Sequence, residues 1–320
     1  PNLEQDSLQL DALYNATDGP NRPNSWNVNE PVSTWYGINL NDEGSRVIEI
    51  DLGSNNLAGA LPSFNLPVLE ILDLRFNKLS GALPNFNLPK LRYLDLGINT
   101  LSGNIPNFKF TIHQRLTLRE NDLTGEIPNF IFPLLTSLDL SQNDLTGEIP
   151  NFNFPLLGSL SLGNNNLSGE IPQFDFPRLG YFYLNSNNLS GEIFLIDAPD
   201  LRHYVVYGNN LTGEIPSFNY PLLERLSLYD NQLVGEIPNF NFPLLKSLWL
   251  NGNQLVGEIP QFNFPLLESL NLSSNNLDGA IPVFDFPLLE RLMLHSNQLE
   301  GAIPQFDFPL LEELLLSSNN

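Results

Sequence analysis

Asparagine recurs at a fixed spacing of 22 residues from Asn55 to Asn319, thirteen times without a slip. A strict period of this size marks a solenoid, in which each coil can bury its apolar face only against its neighbours. Around each Asn the frame reads LxxLxLxxNxLxGxIP, as in Leu69, Leu72, Leu74, Asn77, Leu79, Gly81, Leu83 and Pro84. Side chains alternate along the xLxLx run, so the leucines face a core and the residues between them face out. Neighbouring coils should then pair these runs as a parallel sheet with a spacing of ~4.8 Å. The column Asn turns inward at the strand end, where its amide can satisfy backbone groups of its own and the adjacent coil.

Proline and phenylalanine keep the same ruler. Eleven prolines sit seven residues after the Asn and eleven more sit twelve after it, out of 26. Proline fixes an extended or polyproline-like path there, so the return side of each coil should carry little or no helix. Eleven Phe lie nine residues after the Asn and eight lie eleven after it. That spacing of two puts both on one face of an extended segment, as core filler, with the intervening Asn and Asp facing solvent. Two coils break the rule. Thr111 occupies a proline slot and His113 a leucine slot, while Gly191-Glu192-Ile193-Phe194 replaces the usual GEIP phrase. His113 reads as a packed or edge histidine, since nothing near it in sequence offers a second imidazole or thiolate.

The LxLxxN core with its LSGxIP continuation, from about Val47 to Asn320, resembles the plant-type subclass of leucine-rich repeats. Residues 1–46 stand outside the frame. A helix is expected from the spacing of Leu10, Leu13 and Tyr14, with Asp6 or Ser7 as N-cap and Thr17-Asp18-Gly19 closing it. Ser25-Trp26-Asn27, Trp35-Tyr36-Gly37-Ile38 and Arg46-Val47 then follow in the order of the plant-type N-terminal cap, without its cysteine pair. The cysteine-free form and the ALYNATDG phrase look more like bacterial or protist members. Trp26 and Trp35 are expected to cover the open end of the core. The expected fold is a leucine-rich-repeat solenoid of the α/β class, mostly β and extended. It should form a right-handed curved superhelix of about 13 coils, with residues 1–46 as a helical cap and 47–320 as one repeat domain. Its parallel sheet should line the concave face.

Composition narrows the function. A formal charge of −22 and a pI near 4.2 exclude the basic footprint of a nucleic-acid binder. No apolar run is long enough for a membrane span. The absence of cysteine removes disulfides, thiolate metal sites and cysteine nucleophiles. No metalloprotease, P-loop, dinucleotide or EF-hand motif appears, so neither enzyme activity nor a cofactor is expected.

With the core columns so uniform, specificity must sit at the outward strand positions, six, four, two and one residues before each Asn. Tyr, Trp and Arg, the residue types of interface hot spots, gather there. The candidate ligand-binding residues are Tyr181, Tyr183, His203, Tyr207, Arg225, Tyr229, Trp249 and Asn251, which follow two coils of Ser and Gly. A secondary patch comprises Arg75, Tyr93, Arg115 and Arg119. His203, Ser227 and Asp230 could suggest a catalytic triad, but flat strands offer no nucleophile turn or oxyanion loop. A third column, Glu126, Glu148, Glu170, Glu192, Glu214, Glu236 and Glu258, reads as a solvated acidic edge and only weakly as a metal site.

The resemblance implies extracellular or cell-surface recognition of a protein or peptide ligand on the concave face, without chemistry. Glycan binding through the aromatics is the first alternative. A structural protein whose acidic and Asn-rich edges bind ions or a surface is the second. Sequons at Asn15, Asn166, Asn188, Asn210 and Asn271 would matter only in a eukaryotic secretory route. The final leucines, Leu311 and Leu314 to Leu316, leave an apolar coil without a cap, and further repeats or a cap are expected beyond Asn320.

Overall fold

The computed structural model describes residues 2–320, which divide into two compact units, the first ending at residue 157 and the second spanning 158–320. Both are β-solenoids. The first unit opens with a helix, Leu3–Ala16, one turn longer at its start than the sequence indicates. Asn2, not Asp6 or Ser7, is the N-cap, and its side chain accepts from the Gln5 amide at 3.1 Å. Asp6 is recruited elsewhere. It is buried, and its carboxylate accepts from Arg46 Nε at 2.9 Å, Arg46 Nη2 at 3.0 Å and the Val47 amide at 2.9 Å. The helix is thereby tied to the start of the first long strand.

Behind that helix the aromatic residues stack. Trp26 and Trp35 lie 4.7 Å apart and Tyr14 lies 5.8 Å from Trp26. Each indole N–H finds a carbonyl, Tyr36 for Trp26 and Glu30 for Trp35. Arg22 is buried against this stack, its guanidinium 4.3 Å from the Trp26 ring centroid and 4.8 Å from that of Tyr14. Burial without a hydrogen-bond partner lowers its pKa to about 10.

In the first unit Ile38–Leu40 pairs antiparallel with Val47–Asp51. From there the sheet runs parallel through Ile71–Asp73, Tyr93–Asp95, Arg115–Thr117 and Ser137–Asp139. In the second unit it runs from Ser159–Ser161 through Tyr181–Tyr183, His203–Val205, Arg225–Ser227, Ser247–Trp249, Ser269–Asn271 and Arg291–Met293 to Glu313–Leu315. Each pairing is offset by one repeat, so like positions stack in rows. A second parallel sheet follows the Asn columns in the first unit, over Ala58–Ala60, Lys78–Ala82, Thr100–Asn104, Asp122–Glu126 and Asp144–Glu148. Among the described residues no helix forms on the return side of any coil, as the proline ruler requires.

The column asparagines do what the spacing demands. Asn121 donates to the carbonyls of Leu96, Leu118 and Arg119 and accepts from the Leu101 amide at 2.9 Å. Asn231 repeats the pattern with Val206, Leu228, Tyr229 and Leu211. The residue before each Asn turns left-handed, including Ile98 at φ 57°, a strained value for a β-branched side chain. Phe rings stack within and between coils, for example Phe108 on Phe110 at 4.9 Å and Phe242 on Phe264 at 6.3 Å.

The two irregular coils are repaired differently. In the first unit His113 is fully buried between Phe110 and Phe132, with Nδ1 3.2 Å from the Leu91 carbonyl and Nε2 without a partner. In the second unit Ile196 and Ala198 take the Phe slots. Tyr204 of the same coil and Tyr220 of the next are both buried, their rings 6.4 Å apart, and the Tyr220 hydroxyl accepts from the Ile196 amide and donates to its carbonyl.

Candidate functional site

The candidate residues of the second unit share one sheet face and fall into two linked groups. Tyr181, His203 and Arg225 stack in one row by strand register, Tyr183, Val205, Ser227 and Trp249 in the next. Tyr183 Oη lies 2.6 Å from His203 Nδ1, and the Tyr181 ring meets the imidazole edge-on at 5.2 Å. Desolvation, then the nearby Arg225 charge, lowers the His203 pKa, so this imidazole stays neutral at pH 7.

The second group is a stack. Tyr207 and Tyr229 are stacked 4.1 Å apart with nearly parallel rings, 9° between their planes, and Trp249 closes on Tyr229 at 5.8 Å. Arg225 bridges the groups: its guanidinium sits 5.0 Å from the Trp249 ring, and Nε donates to Ser227 Oγ at 3.2 Å. Trp249 Nε1 donates to Ser269 Oγ at 2.9 Å, which fixes the indole plane. Burial, then the bond to Tyr207, raises the Tyr229 pKa. Asn251 follows Tyr229 in its row. Arg202 and Lys246 each approach Glu224 at 2.8 Å along the flank, which holds the Glu224 pKa low.

Several outward positions, Val205 and Ser227 at the centre of the patch among them, do not face solvent as the strand alternation indicates. Val205 is 3% exposed and Ser227 0%, because the larger side chains around them fold over the centre. Tyr181 is exposed, while Tyr183, His203, Tyr207, Arg225, Tyr229, Trp249 and Asn251 are half-buried. The result is an apolar, hydrogen-bonded surface of interlocked rings, fixed before any ligand arrives. Ser227 is engaged by Arg225 and is covered, so it offers no nucleophile.

The secondary patch lies on the first unit's sheet. Arg75 pairs with Asp73 at 3.3 Å and approaches Asp95 at 3.9 Å, and Arg119 pairs with Glu120 at 3.3 Å. Burial, with the Asp95 and Asp51 charges adding, raises the Asp73 pKa, and the Arg75 amide and charge oppose the rise. The aspartate row Asp51, Asp73, Asp95 and Asp139 recurs every 22 or 44 residues, a periodic signal in the sequence distinct from the aromatics and arginines.

The glutamate column packs against glycine. An added Cβ on Gly147 would stand 2.8 Å from Glu126 Cγ, and Gly191, Gly213, Gly235, Gly257 and Gly279 meet the preceding glutamate at 2.8–3.1 Å. These glycines also adopt φ from 71° to 80°, so two independent constraints fix them. Among the described residues no group of three or more His, Cys, Asp or Glu is placed to hold a metal ion. Among them, too, no helix is long and apolar enough to cross a membrane.

Residues 134–154 and 266–285 match the family model named Leucine Rich Repeat. The coils are leucine-rich repeats. They resemble the plant-type subclass, and the chain lacks cysteine altogether. A leucine-rich-repeat chain of this kind is similar to the plant peptide hormone receptor RGFR1, solved in complex with RGF2. The TM-score is 0.64 at 30% identity, over 80% of this chain and 48% of the receptor, so the chain spans about half of that receptor's length. A plant ice-binding protein aligns with TM-score 0.67 at 27% identity, over 81% of this chain and 90% of its own. YopM from Yersinia enterocolitica aligns with TM-score 0.53 at 26% identity, over 82% and 64%. No curated protein matches the chain in sequence.

Proposed function

We propose that the chain is a non-catalytic recognition module, acting outside the cell, that binds a protein or peptide segment on the concave sheet face of its repeats. The observation that carries this reading is the Tyr207–Tyr229–Trp249 stack locked by Arg225. Rings held in place by one another lose little rotamer freedom when a ligand settles on them, which favours affinity. Tyr181, Tyr183 and His203 extend the surface, and Asn251 supplies an amide at its border. The likeness to a peptide hormone receptor supports the class of ligand, and the hot-spot composition of the patch agrees with it.

A peptide display screen on the wild-type protein tests the reading. Trp249→Ala and Tyr229→Ala should each weaken the selected peptide by ~2 kcal/mol or more, with a small change in Tm because both rings are partly exposed. Undiminished binding by both variants would sink the proposal. Selection of sugars alone on a glycan array would transfer the same surface to the glycan alternative.

A second reading has its own support. The return side carries rows of exposed amides, Asn129 and Asn151 in the first unit and Asn219, Asn239, Asn241 and Asn263 in the second. One such step per coil repeats at ~4.8 Å. A regular polar array of this kind suits a crystalline surface, and the likeness to a plant ice-binding protein points the same way. Inhibition of ice recrystallisation by wild type, lost on Asn239→Lys/Asn241→Lys, is the expected outcome for this reading, and wild-type inactivity counts against it.

A further inference from the structure

Two hollows adjoin on the sheet face of the first unit and share one wall. The first, about 230 Å³, has an apolar lining that includes Ile71, Tyr93 and Leu94. The second, about 210 Å³, is bordered by Arg115, Thr117 and Arg119. Arg75, Asp95 and Arg115 edge both hollows. Arg115, Thr117 and Arg119 alternate along one coil, so all three reach the same side.

Thr117 marks the second hollow as a site. Its side chain is only 4% exposed, and its hydroxyl has no hydrogen-bond partner. A buried donor left without an acceptor is unfavourable unless something arrives to accept from it. Beside it, Arg115 has no ion-pair partner among the described residues, whereas Arg75 and Arg119 are paired with Asp73 and Glu120. Gly97 leaves room for the arrangement. An added Cβ there would come within 3.1 Å of Asp95 Oδ1 and 3.2 Å of Arg119 Cγ.

Charge sets the ligand. Of the three arginines around the second hollow, Arg75 and Arg119 are paired with Asp73 and Glu120, so Arg115 supplies the one positive charge without an ion-pair partner among the described residues, and Asp95 and Asp139 stand beside it. One unpaired guanidinium set among carboxylates, in a chain of net charge −22, suits a single negative charge and resists a second. We propose that the paired hollows bind a small organic monocarboxylate. Its carboxylate would rest on Arg115, Arg119 and the Thr117 hydroxyl through charge-assisted hydrogen bonds. Its apolar body would fill the hollow of Ile71, Tyr93 and Leu94. This site lies in the other unit from the aromatic patch and does not depend on the reading given to that patch.

Phenylacetate titrated calorimetrically into the full chain at pH 8 is the test, with acetate and phenyl phosphate as controls. Phenylacetate should bind saturably, and acetate, which lacks the apolar body, should bind about tenfold weaker or less. Phenyl phosphate, a dianion at this pH, should also bind more weakly. Thr117→Val keeps the shape of the side chain and Arg115→Gln keeps much of its length. Each should cost about tenfold in affinity for phenylacetate without lowering Tm. Absence of saturable phenylacetate binding by wild type would overturn the proposal. So would equal affinity in wild type, Thr117→Val and Arg115→Gln.

Discussion

His113 carries a pH dependence that follows from its burial alone. The imidazole occupies a leucine slot between two phenylalanines, and desolvation lowers its pKa from 6.5 to about 4. The unfolded chain therefore binds the proton more readily than the folded one between these values. Stability from this residue is full above pH 6.5 and is lost as pH falls towards 4, to a total of roughly 3 kcal/mol. His113→Leu should remove that loss and also the unpaired Nε2. Urea midpoints measured at pH 7 and pH 4.5 should draw together in the variant relative to wild type, and an unchanged gap would refute this account. The slot was legible from the 22-residue ruler, as were the column asparagines and the Phe ladder. The burial of Val205, Ser227 and Thr117 was not. Strand alternation puts them outward, and only the size of their neighbours on adjacent coils covers them.

The strands and coils were readable because each needs only its own repeat and the next. The N-terminal helix was read less well, for a reason visible in Asp6. A local rule makes an acidic residue before an apolar run an N-cap, yet the partner that claims this carboxylate, Arg46, lies 40 residues away. Asn2 is left to cap, and the helix starts at Leu3. The same logic hid Tyr220, whose hydroxyl serves the backbone of Ile196 in the preceding coil. Asp6→Asn keeps the size of the side chain but leaves Arg46, with a side chain 13% exposed, without its countercharge. Breaking a buried pair in this way should cost about 3 kcal/mol. Hydrogen exchange should locate the loss, with protection falling first over residues 3–16 and the strand 47–51. Uniform loss over both units would show that the pair does not act as a local tie.

At the scale of the whole chain, charge is the dominant unbalanced quantity. Thirty-six acidic residues against 14 basic ones give a net charge of −22, and repetition sets acidic side chains in rows rather than scattering them. Folding brings each glutamate of the column to one coil spacing from the next, where a pair repels by roughly 1 kcal/mol in water. The unfolded chain relaxes much of this repulsion. Salt should therefore stabilise the folded state, as screening shortens the reach of each charge to ~3 Å at 1 M. Raising sodium chloride from low concentration to 0.5 M should lift Tm steadily. Calcium separates screening from binding. The glutamates lie stretched against the glycines of the following coil, and no cluster of three ligands forms among the described residues. Calcium chloride at matched ionic strength should consequently raise Tm no further than sodium chloride. A larger, saturable shift at millimolar calcium would mean that ions bridge the column, because specific binding to the folded state adds stability in proportion to the logarithm of occupancy.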